Sequence, residues 1–290
     1  MQNLTEANLT DVVLASQAGT RDPRLKEIMT SLVSHLHAFV REIEPTEAEW
    51  FEAIRFLTAV GHKCDDKRQE FILLSDTLGV SMLVDAINHR KPAGATETTV
   101  FGPFHRDGAP RKPFGDSIAD GAAGEPTVVS GRVLTVQGEP IAGAELDVWQ
   151  VDGAGLYDVQ RPELKAMQMR GKFTTDPEGR FLFRTVKPVS YSIPTDGPVG
   201  TLLKATGRHS FRPAHIHMIV SAAGFQSVTT HLFVAGDSYL NSDAVFAVKN
   251  SLVVDFKKHK PGIAPGGTAM SKDYWTAEYD FRLTSTAGNQ

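Results

Sequence analysis

Only one of the 290 residues is cysteine, Cys64. That scarcity excludes an intramolecular disulfide framework and any metal site built from several cysteines, and a reducing cytoplasm is the expected compartment. Positive charge is not in excess either: 30 Lys and Arg stand against 34 Asp and Glu, a net charge of −4. A surface for nucleic acid would need a clustered basic face, so no nucleic-acid partner is expected. No stretch approaches the roughly 18 consecutive apolar residues of a membrane span. The opening MQNLTEANLTDVV lacks a basic segment followed by an apolar one, so no secretory signal is expected. Tyrosine is scarce, at five residues, and no glutamate occurs between Glu178 and Glu278. What remains is an ordinary globular composition, 41% apolar and 22% charged, with length enough for one or two domains.

The first hundred residues carry helical periodicity. In DPRLKEIMTSLVSHLHAFVREI the apolar side chains Leu25, Ile28, Met29, Leu32, Val33, Leu36, Phe39, Val40 and Ile43 form an i, i+3, i+4 stripe. Asp22 is the candidate N-cap and Pro23 suits the first turn. PTEAEWFEAIRFLTAVG follows, with Thr46 and Glu49 as a capping box and Gly61 as a stop. EFILLSDTLGVSMLVDAI reads as two helices broken near Gly79.

Beyond about residue 105 the pattern becomes short, β-branched and alternating: TVVSGRVLTV, AELDVWQVD, GRFLFRTV, AHIHMIV and SVTTHLFVA. QGEP, DPEG and AAGF punctuate them as turns. The expected architecture is α+β: a helical domain over residues 1–105, then an antiparallel β-sandwich over 106–290. FGPFHRDGAPRKPFGD reads as an ordered linker wrapping from one half to the other.

Within RPAHIH, His215 and His217 lie two residues apart on a strand, so both imidazoles face the same way. Ile216, Met218 and Val220 would anchor the opposite face in a core. The plain reading is a pair of half-exposed polar side chains on a sheet; the functional one is a transition-metal site. A carboxylate-completed iron site would want an acidic residue nearby, which the missing glutamates make scarce. A zinc hydrolase could recruit His209, His231, Asp196 or Asp237 as a third ligand. Tyr157 closes the turn DGAGLYD, and Tyr191 sits in the loop KPVSYSIPTDGP. Either is a buried ring with a bonded hydroxyl or a hard anionic ligand for a trivalent ion, and spacing alone leaves both open.

DVWQVDGAGLYD, GRFLFRTVKPVSYSIPTDGPVG and RPAHIH, in this order, resemble the intradiol ring-cleavage dioxygenases, and among them the hydroxyquinol 1,2-dioxygenases, with catechol 1,2-dioxygenases as relatives. The resemblance runs over nearly the whole chain, from the N-terminal helices with TETTVFGPFH to GDSYLNSDAVFAVKNSLVVDF. It implies one non-haem Fe(III) per subunit held by Tyr157, Tyr191, His215 and His217. It also implies that Tyr191 leaves the metal when substrate binds and then acts as a base. Arg212 would lie against the substrate and stabilise ring charge. His231 stands where catechol-type members carry a glutamine, and is expected to take a similar hydrogen-bonding role. Similarity further suggests a pocket of Leu73, Asp76, Val100, Phe101, Gly102, Pro103, Phe104, Ile193, Pro194 and Val245. Asp76 would accept a hydrogen bond from a third ring hydroxyl; the alternative reading is a helix cap. The implied reaction opens hydroxyquinol with O2 to 3-hydroxy-cis,cis-muconate or maleylacetate, or, as an alternative, catechol to cis,cis-muconate. A homodimer through the N-terminal helices and a phospholipid at its interface are also implied.

Overall fold

A computed structural model describes residues 3–66, 68–119 and 121–286. The chain divides into two compact units, residues 1–59 and 60–290. The first holds α1 (Leu9–Ser16), α2 (Pro23–Ile43) and most of α3 (Glu47–His62). Asp22 caps α2 as expected, accepting the amides of Arg24 and Leu25 at 2.8 and 3.2 Å. The capping box of α3 is also formed, with Thr46 N–H to Glu49 Oε2 at 2.8 Å and Glu49 N–H to Thr46 Oγ1 at 3.3 Å. Gly61 does not stop α3, which runs on through His62. A Cβ at Gly61 would meet the Phe71 ring at 3.7 Å, an ordinary contact.

The second unit begins with α4 (Glu70–Thr77) and α5 (Val80–Asn88), separated at Gly79, whose φ of +75° suits glycine. The strands follow: β1 (Pro126–Thr135), β2 (Glu145–Trp149), β3 (Arg170–Thr174), β4 (Arg180–Val186) and β5 (Tyr191–Ser192). After α6 (Pro198–Ala205) come β6 (Phe211–Arg212), β7 (His215–Ser221), β8 (Val228–Val234), β9 (Val253–Val254) and β10 (Lys257–His259). β11 (Gly262–Ile263), β12 (Ala269–Met270), β13 (Tyr274–Glu278) and β14 (Phe281–Leu283) complete the set.

Two five-stranded sheets form the sandwich, one built on β1 with β4, β10, β13 and β14, the other ordered β3-β2-β7-β8-β9. Both are mixed, which corrects the antiparallel expectation: β1 pairs in parallel with β13 and β14, and β8 with β9. Hairpins force antiparallel neighbours, but chain returning from far along the sequence is free of that constraint. Val129, Val133, Phe181, Phe183 and Phe281 of one sheet meet Leu146, Val148, Phe173, Ile216, Met218 and Leu232 of the other in one buried core. The linker is ordered: Lys112 N–H bonds the Lys172 carbonyl at 2.9 Å and Gly115 N–H the Leu182 carbonyl at 2.8 Å, closing an edge of each sheet. Among the described residues, no helix is long and apolar enough to cross a membrane.

Candidate metal centre

Strand β7 sends Ile216, Met218 and Val220 into the core, so its alternation turns His215 and His217 to the outer face of the second sheet. Register then lines up neighbours: His217 lies opposite Trp149 of β2 on one side and opposite His231 of β8 on the other. The Trp149 and His217 rings stack at 4.7 Å between centroids, and those of His217 and His231 lie 4.2 Å apart. Loops cover this face so completely that His215, His217 and His231 are all buried.

The two tyrosines arrive from those loops. Asp152 Oδ1 accepts the amides of Ala154 and Leu156 at 2.8 and 3.2 Å, folding the Gly-rich turn that carries Tyr157 inward. Tyr191 on β5 pairs in register with Arg212 on β6. The side chains converge: Tyr157 Oη lies 2.9 Å from Tyr191 Oη and 2.8 Å from His217 Nε2, and His215 Nε2 lies 3.1 Å from His217 Nε2. Donors bonded at about 2 Å to one ion sit about 3 Å from each other, so this spacing fits a single transition metal. His215 Nδ1 donates to the Pro213 carbonyl at 2.6 Å, which leaves its Nε2 lone pair to face the other donors.

Electrostatics match that use. Burial, reinforced by the Arg212 charge and, for His217 and His231, by neighbouring imidazoles, holds all three histidines well below their ordinary pKa. They are therefore neutral, the form that ligates metal. Burial first, then Tyr191, raises the Tyr157 phenol well above its ordinary pKa. A multivalent cation beside the phenol would favour its phenolate, and hard phenolate oxygens suit a trivalent one.

His231 completes a cluster of three histidines whose ligand atoms lie within 4.8 Å of one another. Its Nδ1 is hydrogen-bonded to the Thr99 hydroxyl, while its Nε2 is buried without a protein partner. The other zinc-ligand candidates go elsewhere. His209 bonds Ser242 Oγ at 2.9 Å and the Phe211 amide at 3.1 Å. Asp196 pairs with Lys63 and Arg68 at 2.9 and 2.6 Å, and Asp237 accepts the Ala214 amide at 3.1 Å.

Arg212 is buried with Asp243, Nε to Oδ1 at 3.2 Å and Nη2 to Oδ2 at 3.4 Å, and its Nη1 lies 3.3 Å from His215 Nε2. Burial opposes its charge, but the Asp243 carboxylate and Tyr191 outweigh that and raise its pKa.

A cavity of about 440 Å³ is lined by Asp76, Ser81, Val100, Phe101, Gly102 and Pro103 among others. Asp76 is buried in the last turn of α4 and so is not a helix cap. Burial raises its pKa, against lowering by the Ser81 hydrogen bond and by Arg212. Gly102 ties this cavity to the donor cluster: a Cβ there would meet His217 Cε1 at 2.9 Å. Phe104 stacks on Tyr157 at 4.5 Å between centroids. Leu73, Ile193 and Val245 are buried outside the cavity lining, and Pro194 is half-buried beside Ile193.

Trp149, Thr99 and Asp243 have no role in the reading of the sequence, where Asp237 stands only as a candidate zinc ligand. Strand register could have revealed Trp149, since AELDVWQVD alternates like its neighbour. Asp243 lies 31 residues from Arg212 and Thr99 lies 132 from His231, separations that no local period encodes.

A family profile described as "Catechol dioxygenase N terminus" matches residues 22–96, and one described as "Dioxygenase" matches residues 102–285. The chain is 54% identical over 262 residues to 6-chlorohydroxyquinol 1,2-dioxygenase of Cupriavidus pinatubonensis, covering 90% of this chain and 95% of that one. It is 50% identical to hydroxyquinol 1,2-dioxygenase of a Rhizobium species, covering 96% and 95% respectively. The crystal structure of hydroxyquinol 1,2-dioxygenase from Pseudomonas putida DLL-E4 superposes with a TM-score of 0.92 at 52% identity, over 97% of this chain and 98% of that one.

Proposed function

The chain belongs to the intradiol ring-cleavage dioxygenases, and from that premise we propose that it opens hydroxyquinol with O2, using Fe(III) held by Tyr157, Tyr191, His215 and His217. The product is 3-hydroxy-cis,cis-muconate or its tautomer maleylacetate. The observation that carries this reading is the meeting of two phenols and two neutral imidazoles at 2.8–3.1 Å in a buried site. Iron(III) bound there would chelate both vicinal oxygens of the substrate and prepare the ring for O2.

The protein's own groups do the rest. Tyr191 is the phenol that leaves the metal and takes a proton from a substrate hydroxyl. Arg212, kept charged by Asp243, faces His215 and stabilises negative charge developing on the bound ring. His231, fixed by Thr99, has a buried, unpartnered Nε2 that hydrogen-bonds a polar atom of the reacting complex when substrate is bound. Asp76 pairs with the third ring hydroxyl, with Val100, Phe101, Gly102 and Pro103 forming the cavity wall. Leu73, Phe104, Ile193, Pro194 and Val245 shape its surroundings. A site built to pair a hydroxyl discriminates strongly against an analogue that lacks it.

The helices of residues 1–105 supply the homodimer interface and the pocket wall, and residues 106–290 the iron site. The interface role is supported by the row Leu25, Ile28, Leu32, Leu36, Phe39, Val40 and Ile43 on α2, all exposed in the single chain. A phospholipid held against that apolar face, and a cytoplasmic location consistent with the single cysteine, complete the reading.

Iron analysis with visible absorption tests the metal. The purified protein should hold one iron and show a tyrosinate-to-Fe(III) band that Tyr157→Phe shifts, with ring cleavage falling by about a hundredfold or more. A colourless, zinc-loaded protein would overturn the reading. Oxygen uptake tests the substrate: kcat/KM should favour hydroxyquinol over catechol by at least about tenfold, and a clear catechol preference would refute it.

A further inference from the structure

We propose that Asp237 is a positioning residue that sets where the Tyr191 phenol stands relative to His215, an inference that rests on the iron site read above. One carboxylate oxygen, Oδ2, accepts both the Ser190 hydroxyl at 2.5 Å and the Ala214 amide at 3.1 Å, while Oδ1 accepts the Tyr239 amide at 2.9 Å. Ser190 immediately precedes Tyr191 and Ala214 immediately precedes His215. A single atom thus ties the loop carrying the displaceable phenol to the strand carrying a histidine ligand. The Asp237 loop is itself anchored, since Val234 N–H bonds the Ala214 carbonyl at 2.9 Å. Hydrogen bonds to an ionised acceptor are the stronger kind and fix geometry accordingly.

The consequence is specific to Tyr191. Its backbone is held on one side by the β5–β6 pairing with Arg212 and on the other by Ser190 bonded to Asp237. Its Cβ also faces Gly155, where an added Cβ would sit 3.4 Å away. With the main chain pinned, displacement is confined to rotation of the side chain, and the phenol returns to one place beside the His215 ring, 5.5 Å between centroids. Loosening the Ser190 tie gives Tyr191 alternative resting positions without touching a ligand.

Ser190→Ala is the mild test, because it removes one bond and leaves Asp237 bonded to Ala214 and Tyr239. In the iron-loaded enzyme without substrate, the visible band should shift. Iron loss to a chelator should quicken about tenfold, and kcat should fall about tenfold with KM changed less than about twofold. With hydroxyquinol bound in the absence of O2, when Tyr191 has already left, the variant's spectrum should match wild type. Ser190→Thr, which keeps the hydroxyl, should restore all three readouts. The Ser190→Ala/Asp237→Ala double variant should behave as Asp237→Ala alone, since Ser190 acts through the Asp237 carboxylate. A coloured wild type with an unchanged Ser190→Ala variant overturns this proposal alone. So does a spectral difference that persists with substrate bound, or a failure of Ser190→Thr to restore. A colourless wild type overturns the iron reading and this inference with it.

Discussion

Gly102 shows how much one missing side chain decides. It sits at φ +78°, and a Cβ would press on His217 Cε1 at 2.9 Å. Gly102→Ala should therefore cost about 1–2 kcal/mol of backbone strain and tilt the His217 ring. The checks are a lower melting temperature and an iron content per chain below about half that of wild type. Arg212 poses the opposite problem, a charge that cannot be removed cleanly. Asp243 is buried with it and also accepts the amides of Val245 and Ala247 at 3.3 and 3.1 Å. Arg212→Ala strands that carboxylate, and urea denaturation should register a loss of about 3–5 kcal/mol alongside the loss of activity. Asp243→Asn, which keeps the volume, should cost less stability than Arg212→Ala.

Strand β7 serves two surfaces at once. Its even-numbered residues Ile216, Met218 and Val220 fill the core, while His215 and His217 face the donor cluster. A one-residue slip against β8 would drive both imidazoles into the core, so the same hydrophobic pattern that stabilises the sandwich protects the site's geometry. Helix α2 is specified more locally. The Asp22 carboxylate satisfies two otherwise unpaired amides at its start, and Asp22→Ala should destabilise the protein by about 1 kcal/mol in urea titration. That change should leave the visible band of the iron-loaded enzyme as it is, since the cap lies outside the unit that carries the donors.

Across the second unit, ion pairs join elements that are distant in sequence. Asp196 reaches Lys63 and Arg68, and Arg68 also pairs with Glu70, whose side chain is wholly buried and accepts the Val199 amide at 3.2 Å. Hydrogen bonds from Arg68 and Lys63 lower the Asp196 pKa to about 2. A carboxyl depressed in the folded state stabilises it fully above its unfolded value, about 3.9, and that contribution disappears as pH falls through the folded value. The stability difference between wild type and Asp196→Asn should thus be constant from about pH 8 to 5 and vanish between about pH 4 and 2. Because Asp196 is largely exposed, the plateau should be below about 1 kcal/mol and shrink in high salt. Urea midpoints over that pH range provide the measurement.

The sequence by itself determined whatever is encoded over a few residues: the stripe and cap of α2, the break at Gly79, and the alternation that turns His215 and His217 to one face. Such features follow from local periods and from which side chain can reach the next free amide. It also supplied, through motif resemblance, the four donor types. Only the tertiary structure decided that Tyr157 and Tyr191 meet His217, that Asp243 holds Arg212, that Thr99 steers His231, and that β1 runs parallel to β13 and β14. These partners are separated by tens to more than a hundred residues. Which of them meet is settled by how the sheets and loops pack together to bury the core, and no repeating interval along the chain records that outcome.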